Sequence, residues 1–221
     1  MASQALEDYL KIIFKLEEVN AESGLDKGIS TSAIAERLSI SQASVSNMLK
    51  KLSEKKFIEY APYYGVTLTD QGRKIALKML RRHRVLELYL VERLGYQWDE
   101  VDAEAEVMEH AVSDRLVNRM WEELGRPTQD PHGSPIPDQH GNMEVQKMVS
   151  LCEATPDESC QVIRIQNRTP EELRYLFSMG LVKGAQVKVF EKAPFEGPLS
   201  VEVDGTQFAL DFRLAQSIFV A

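Results

Sequence analysis

The sequence predicts a mainly α-helical protein that ends in a small β-barrel domain. Three observations carry that expectation. Two short amphipathic segments, joined by a three-residue turn, are followed at once by two β-prone runs around a proline-to-glycine turn. Long stretches with apolar residues three and four apart occupy the middle of the chain. Beyond them lie short β-rich runs, QVIRIQNR, AQVKVFEK, LSVEVDG, TQFALD and SIFVA, divided by glycine and proline turns.

Taken in order, residues 3–19 read as a helix with Leu6, Leu10, Ile13 and Phe14 on one face. The polar segment NAESGLDKG is a loop. Thr31 to Leu38 is a short helix turning Ile34, Ala35 and Leu38 inward. Ser41 caps a second helix, Gln42 to Ser53, that buries Val45, Met48, Leu49 and Leu52. Phe57 to Tyr60 and Val66 to Thr69 are strands of a hairpin, a wing, turning at Pro62 to Gly65. Asp70 is expected to cap a long helix reaching about Leu94, and Gly95 to Asp99 breaks it. A single helix is then expected from Asp102 to Leu124, with Ala105, Met108, Val112, Leu116, Met120 and Leu124 in its apolar stripe. Pro127, Pro131, Pro135 and Pro137 make residues 125–141 a connector, since no helix tolerates that spacing. A short helix is expected near 143–150, and another within TPEELRYLFSMG, ending at Gly180. The domains predicted are a winged helix-turn-helix at 1–72, a helical domain with its connector at 73–142, and the β domain at 143–221.

Composition narrows the function classes. At 221 residues, 43% of them hydrophobic, the chain can build packed cores. A net charge of −8 argues against a generally basic nucleic-acid coat protein, though a local basic face stays possible. Cys152 and Cys160 form neither a disulfide framework nor a metal-binding pair at C-x-x-C spacing. The N-terminus lacks the features of a signal peptide, and no apolar run suits a membrane span. A cytoplasmic protein without a membrane partner is expected.

Two constellations can carry chemistry. Ser41, Gln42, Ser44 and Asn47 stand at the start and outer face of the second short helix, where amides and hydroxyls reach base edges in a major groove. Lys50, Lys51, Lys55 and Lys56, opposed only by Glu54, suit phosphates. Tyr63 and Tyr64 lie at the wing tip. An ordinary helical hairpin with solvated lysines would show the same two helices, but not the wing. The second constellation is acidic. DEVDAEAEVMEH places Glu106, Glu109 and His110 at i, i+3 and i+4 on one face, with Asp102 a turn earlier. Such oxygen and imidazole donors suit Mn²⁺ or Fe²⁺ and also accept Zn²⁺, while a solvated acidic face is the plain alternative. His83 and Glu87 form an i, i+4 pair, and Asp130 and His132 sit in the connector's DPHG. No nucleophile elbow, P-loop, dinucleotide fingerprint or zincin motif is present, so an enzyme is not expected.

The order of parts, with EDYLKIIFKLEE, SVSNMLKKLSEKKFIEY, LTDQGRKIALKMLRRHRVLELYL and EAEVMEHAVSD, resembles the diphtheria toxin repressor family of metal-dependent transcriptional regulators. LFSMGLVKGAQVKV resembles the SH3-like domain of its longer members. The resemblance implies a primary metal site at Asp8, Glu106, Glu109 and His110. The first two places are typically Met and Cys in iron-responsive members. Carboxylates there match the manganese-responsive branch, and hard donors agree with Mn(II), with Fe(II) as a weaker effector and Zn(II) or Cd(II) as substitutes in vitro. A second site is implied at His83 and Glu87, with Asp102 where iron-type members have His, or at Asp130 and His132 with Glu87. Lys11 stands where some short manganese-type members have a further acid. The implied function is a homodimeric repressor of metal-uptake genes that binds a palindromic double-stranded operator. The alternatives are a cytosolic divalent-metal-binding interaction protein without sequence-specific DNA binding, or a metallohydrolase.

Overall fold

The computed structural model describes residues 3–22, 27–61, 64–144, 147–166 and 169–221. They fall into two compact units. One comprises the chain up to Arg82 together with 137–142; the other comprises 83–136 and 143–221.

In the first unit α1 (Gln4–Glu22) buries Leu6, Tyr9, Leu10, Ile13 and Phe14, the i, i+3, i+4 stripe that drives an amphipathic helix into a core. α2 (Thr31–Leu38) starts at Ser30, whose hydroxyl accepts the Ala33 N–H. It stops at Ser39, which takes the left-handed conformation and lets the Ile40 N–H close on the Ala35 carbonyl at 3.0 Å. That stop makes the tight turn into α3 (Gln42–Glu54), capped by Ser41 and buried through Val45, Leu49 and Leu52. β1 (Ile58–Ala61) and β2 (Gly65–Leu68) pair antiparallel as the wing, and Ile29 bridges to Val66. Tyr63 lies outside the described residues, and Tyr64 is exposed.

The cap of α4 (Asp70–Leu94) is Thr69 rather than Asp70. The Thr69 hydroxyl accepts the Gly72 N–H at 3.2 Å and donates to the Lys56 carbonyl at 2.7 Å, tying the helix start to the end of α3. Asp70, the first helical residue, complements the positive helix end. Gly72 lies so close to the Phe57 carbonyl that a Cβ there would overlap it. Alanine gains about 1 kcal/mol over glycine in a helix. Overpacking costs typically about 1–3 kcal/mol, and here the obstacle is backbone that cannot swing aside, so overlap wins. Gly72→Ala should therefore lower the melting temperature of the purified protein; a raised one would contradict this packing.

In the second unit the end of α4 packs against α6 (Asp114–Glu123) through Val85, Leu88, Val117 and Ile136, with Met120, Trp121 and Leu124 alongside. The single helix expected from Asp102 to Leu124 is two, α5 (Val101–Met108) and α6. Ser113 takes extended backbone angles and its hydroxyl accepts the Leu116 N–H at 3.2 Å, which starts a new helix where the apolar spacing runs on uninterrupted. The Glu109 N–H still reaches the Ala105 carbonyl at 2.9 Å, so Glu106, Glu109 and His110 keep helical spacing past the end of α5. The connector is an ordered turn, with the Gly133 N–H on the Asp130 carbonyl at 3.1 Å.

The β domain is a six-stranded antiparallel sheet in the order β3-β8-β4-β5-β6-β7. Its strands are β3 (Val149–Ser150), β4 (Ser159–Ile165), β5 (Gln186–Lys192), β6 (Leu199–Val203), β7 (Thr206–Leu210) and β8 (Ile218–Val220). α7 (Pro170–Ser178), with a Thr169/Glu172 capping box, follows β4, and α8 (Phe212–Gln216) precedes β8. Alternation along β6 buries Leu199, Val201 and Val203 in a core that Trp98 also joins. One expectation fails here, and one helix is additional. The described residues of 143–150 contain a strand rather than a helix, because Val149 and Ser150 pair with β8. α8, capped by Asp211, was not foreseen between two β-rich runs.

Candidate metal centre and nucleic-acid interface

His83 lies on α4 and is 1% exposed. Four carboxylates surround it. Its Nδ1 is 2.8 Å from Glu109 Oε2 and 3.8 Å from Glu106; its Nε2 is 3.3 Å from Asp102 and 3.4 Å from Glu87. A carboxylate only accepts, so Nδ1–H donates to Glu109, while Nε2 faces Asp102 and Glu87. Glu109 is fully buried and also lies 3.6 Å from His110 Nε2. So many acids around one imidazole repel one another unless a cation joins them. His83, Asp102 and Glu106 present ligand atoms within 4.8 Å of one another, and the set fits a divalent ion of hard character.

A second group of that size is Glu87, Asp130 and His132, all buried. It is built by the DPHG turn. Asp130 Oδ1 accepts the His132 and Ser134 N–H groups at 2.9 and 2.8 Å. Its Oδ2 lies 3.8 Å from Arg84, which also donates to the Pro135 carbonyl. His132 Nε2 is 2.9 Å from the Trp98 carbonyl, so it carries the proton there and leaves Nδ1 as the donor atom, 3.9 Å from Glu87. This burial is not legible in the sequence, where nothing local to DPHG marks its histidine as buried. Asp8 is half-buried on α1. Lys11, one turn on, is buried and can supply no ligand while protonated. Cys152 and Cys160 sit in the β domain, hydrogen-bonded to the Phe212 and Val187 carbonyls, and burial pushes both thiols up.

The six predicted DNA-contact residues, Ser41, Gln42, Ser44, Asn47, Lys50 and Lys51, are exposed at or along α3. Ser41 spends its oxygen on the cap, accepting the Ser44 N–H at 3.2 Å, and the two hydroxyls lie 2.9 Å apart. Gln42, Asn47 and the lysines therefore keep the freest reach. Ala43, not among the six expected, is also exposed on α3, and its methyl suits a thymine methyl. A cavity of about 660 Å³, lined by Lys27, Ser30, Thr31, Tyr60 and Tyr64, places a lysine near the start of α2, an arrangement suited to a backbone phosphate.

Comparison with known proteins matches three stretches of the chain. Residues 1–66 match the "Iron dependent repressor, N-terminal DNA binding domain", residues 69–138 the "Iron dependent repressor, metal binding and dimerisation domain", and residues 149–221 the FeoA domain. The chain belongs to the iron-dependent repressor family. Among its relatives, an uncharacterised HTH-type transcriptional regulator of Methanocaldococcus jannaschii is 37% identical over 53% of this chain and 90% of its own length. The iron-dependent repressor IdeR of Mycobacterium tuberculosis is 35% identical over 59% of this chain and 54% of its own. A solved manganese-dependent transcriptional repressor in complex with manganese is 40% identical, covers 98% of this chain and 99% of its own, and superposes with a TM-score of 0.89.

Within this repressor-family chain the group at Asp130 should respond to pH. Burial, then the neighbouring Glu87, pushes the Asp130 carboxyl above the usual carboxylate range, against the opposing pull of His132, Arg84 and the Ser134 N–H. In the metal-free protein, keeping Asp130 protonated contributes stability below the ordinary carboxylate pKa, and this is lost as pH rises through the raised value. Metal capture at Asp130 must expel that proton. Mn(II) affinity of this group should thus fall as pH drops through the raised value, and calorimetry in buffers of different ionisation enthalpy should show proton release. Affinity independent of pH across that window would place the metal elsewhere.

Proposed function

We propose that this protein is a Mn(II)-activated repressor of metal-uptake genes, with Fe(II) as a weaker effector, acting as a homodimer on palindromic operator DNA in the cytoplasm. The observation that carries the proposal is the buried His83 ringed by Glu87, Asp102, Glu106 and Glu109 in the metal-binding domain, with both cysteines in the β domain. Hard donors without a thiolate favour Mn(II) over softer ions, although the affinity series still lets Zn(II) or Cd(II) bind. Asp8, Glu106, Glu109 and His110 are the proposed primary ligands, and Glu87, Asp130 and His132 the proposed second set, with His83 and Asp102 beside them. When bound, the metal supplies positive charge that relieves carboxylate repulsion. Because Asp8 lies on α1 and the other primary ligands near α5, its capture would fix α1, and with it the reading helix α3, relative to the dimerising domain. Such gating is a population shift bounded by the metal's preference for the DNA-competent state. Apolar positions along α5 and α6, including the exposed Val107 and Leu116, are the proposed dimer contacts.

The test converts the donors. In the variant Asp8→Met/Glu106→Cys, activation of operator binding should move toward Fe(II) by at least about tenfold relative to Mn(II), or about 1.4 kcal/mol. An unchanged metal ranking would overturn the hard-donor basis. Metal binding without any operator binding would instead favour a metal-binding interaction protein.

A further inference from the structure

We propose that Glu17 is a positioning residue for the wing: its carboxylate ties the outer edge of β2 to α1 and α4, so that the orientation of the wing on DNA follows that of α1. This rests on reading Asp8, on the same helix, as a metal ligand.

β2 has two edges. One pairs with β1, from Ile58↔Leu68 to Ala61↔Gly65. On the other, Val66 exchanges both backbone bonds with Ile29, at 2.9 and 2.8 Å. Successive residues of a strand point their N–H groups to opposite sides, so Leu68 aims at the same edge as Val66. Its N–H donates to Glu17 Oε1 of α1 at 3.0 Å. The other oxygen, Oε2, accepts from Arg73 Nη2 of α4 at 2.5 Å. Arg73 in turn lies over the ring of the buried Phe14, one turn before Glu17 on α1, at 5.2 Å from its centroid. One carboxylate, only 18% exposed, thus joins a strand edge and two helices. α1 and β2 also pack against each other, but hydrophobic attraction is non-directional. The two charge-assisted bonds are what set an angle between helix and strand. The wing is seated closely at its other end too. A Cβ on Gly28 would overlap the Tyr64 carbonyl, and one on Gly65 would overlap the backbone of Gly28. What turns β2 therefore also turns the segment leading into α2. A metal that orders α1 through Asp8 would reach the wing through Glu17, and DNA holding the wing would tighten metal binding by the same factor.

The experiment uses the full-length protein, Mn(II) and an operator duplex selected with the wild type, with amide exchange of the β2 segment followed by mass spectrometry. In the wild type, Mn(II) alone should raise protection of that segment at least about fivefold, the lower end of typical coupling between sites. Glu17→Gln should remove that rise. It should also cut the Mn(II)-driven gain in operator affinity at least about fivefold, while Mn(II) affinity without DNA changes less than about threefold. Arg73→Met, which leaves the carboxylate in place without its anchor, should act in the same direction and leave the slope of operator affinity against salt unchanged. A flattened slope would make Arg73 a phosphate contact and overturn the inference. So would a β2 segment indifferent to Mn(II), or a Glu17→Gln variant that melts earlier yet keeps the full Mn(II)-driven gain, the mark of a merely structural residue. A gain that survives Asp8→Ala would remove the metal reading of Asp8 and the inference with it; a gain lost in Asp8→Ala but kept in Glu17→Gln would overturn the inference alone.

Discussion

Glu109→Gln is expected to abolish most of the Mn(II) response of operator binding without destabilising the metal-free protein. Glu109 is fully buried and joins His83 at 2.8 Å to His110 at 3.6 Å. Glutamine keeps the shape and can still accept from His83, but it loses the charge that a cation requires. Loss of a donor should weaken metal binding by roughly 100-fold, at or beyond the upper end of the 10- to 100-fold typical of supporting residues. A ligand that drives a two-state protein from 1:99 to 99:1 needs a preference of about 10⁴. Losing about 100-fold of that leaves the two states near equal, so the variant would remain half-switched at Mn(II) levels that saturate the wild type. Removing one of five crowded acidic and imidazole groups also relieves repulsion. The metal-free melting temperature should therefore stay or rise, while its increase on adding Mn(II) shrinks. Wild-type activation in Glu109→Gln would show that this carboxylate is not part of the effector site.

The second large effect concerns α3. Lys50→Ala/Lys51→Ala should weaken operator binding across all sequences and flatten its salt dependence. Both lysines are exposed near the helix end, next to Lys55 and Lys56. Each neutralised phosphate contributes about −0.9 to the slope of log affinity against log salt. If both lysines of both protomers contact phosphates, the slope should fall by about 3–4. Asn47→Ala makes the contrast: its loss should cost about 1–3 kcal/mol at one base position and leave the slope unchanged. A salt slope unaltered in the double lysine variant would move the phosphate contacts away from this end of α3, toward Lys27 and the start of α2.

Much of this was legible in the residues. The helix-turn-helix could be read because Ser41 and the Val45, Leu49 and Leu52 spacing obey local rules that packing did not override. The β domain could be read from its alternation, as along β6. The break between α5 and α6 could not, because Ser113 caps a new helix while the apolar stripe runs straight through. The α4 cap was misplaced by one residue because Thr69 and Asp70 are both good caps, and the decision falls to the Lys56 carbonyl, distant in sequence. The acidic string announced its chemistry, yet its centre is His83, twenty-six positions before Glu109, and only the fold brings them together. His132 was the hardest: its burial depends on Trp98 and on β4, neither of which a local reading connects to DPHG.

Operator affinity of the wild-type protein, measured with and without saturating Mn(II) at one fixed salt concentration, tests metal gating most directly. Binding tighter by about 100-fold with Mn(II), or about 2.7 kcal/mol, is the expected result. Equal affinity in the two conditions would contradict it, and would leave a DNA-binding protein indifferent to the metal it holds.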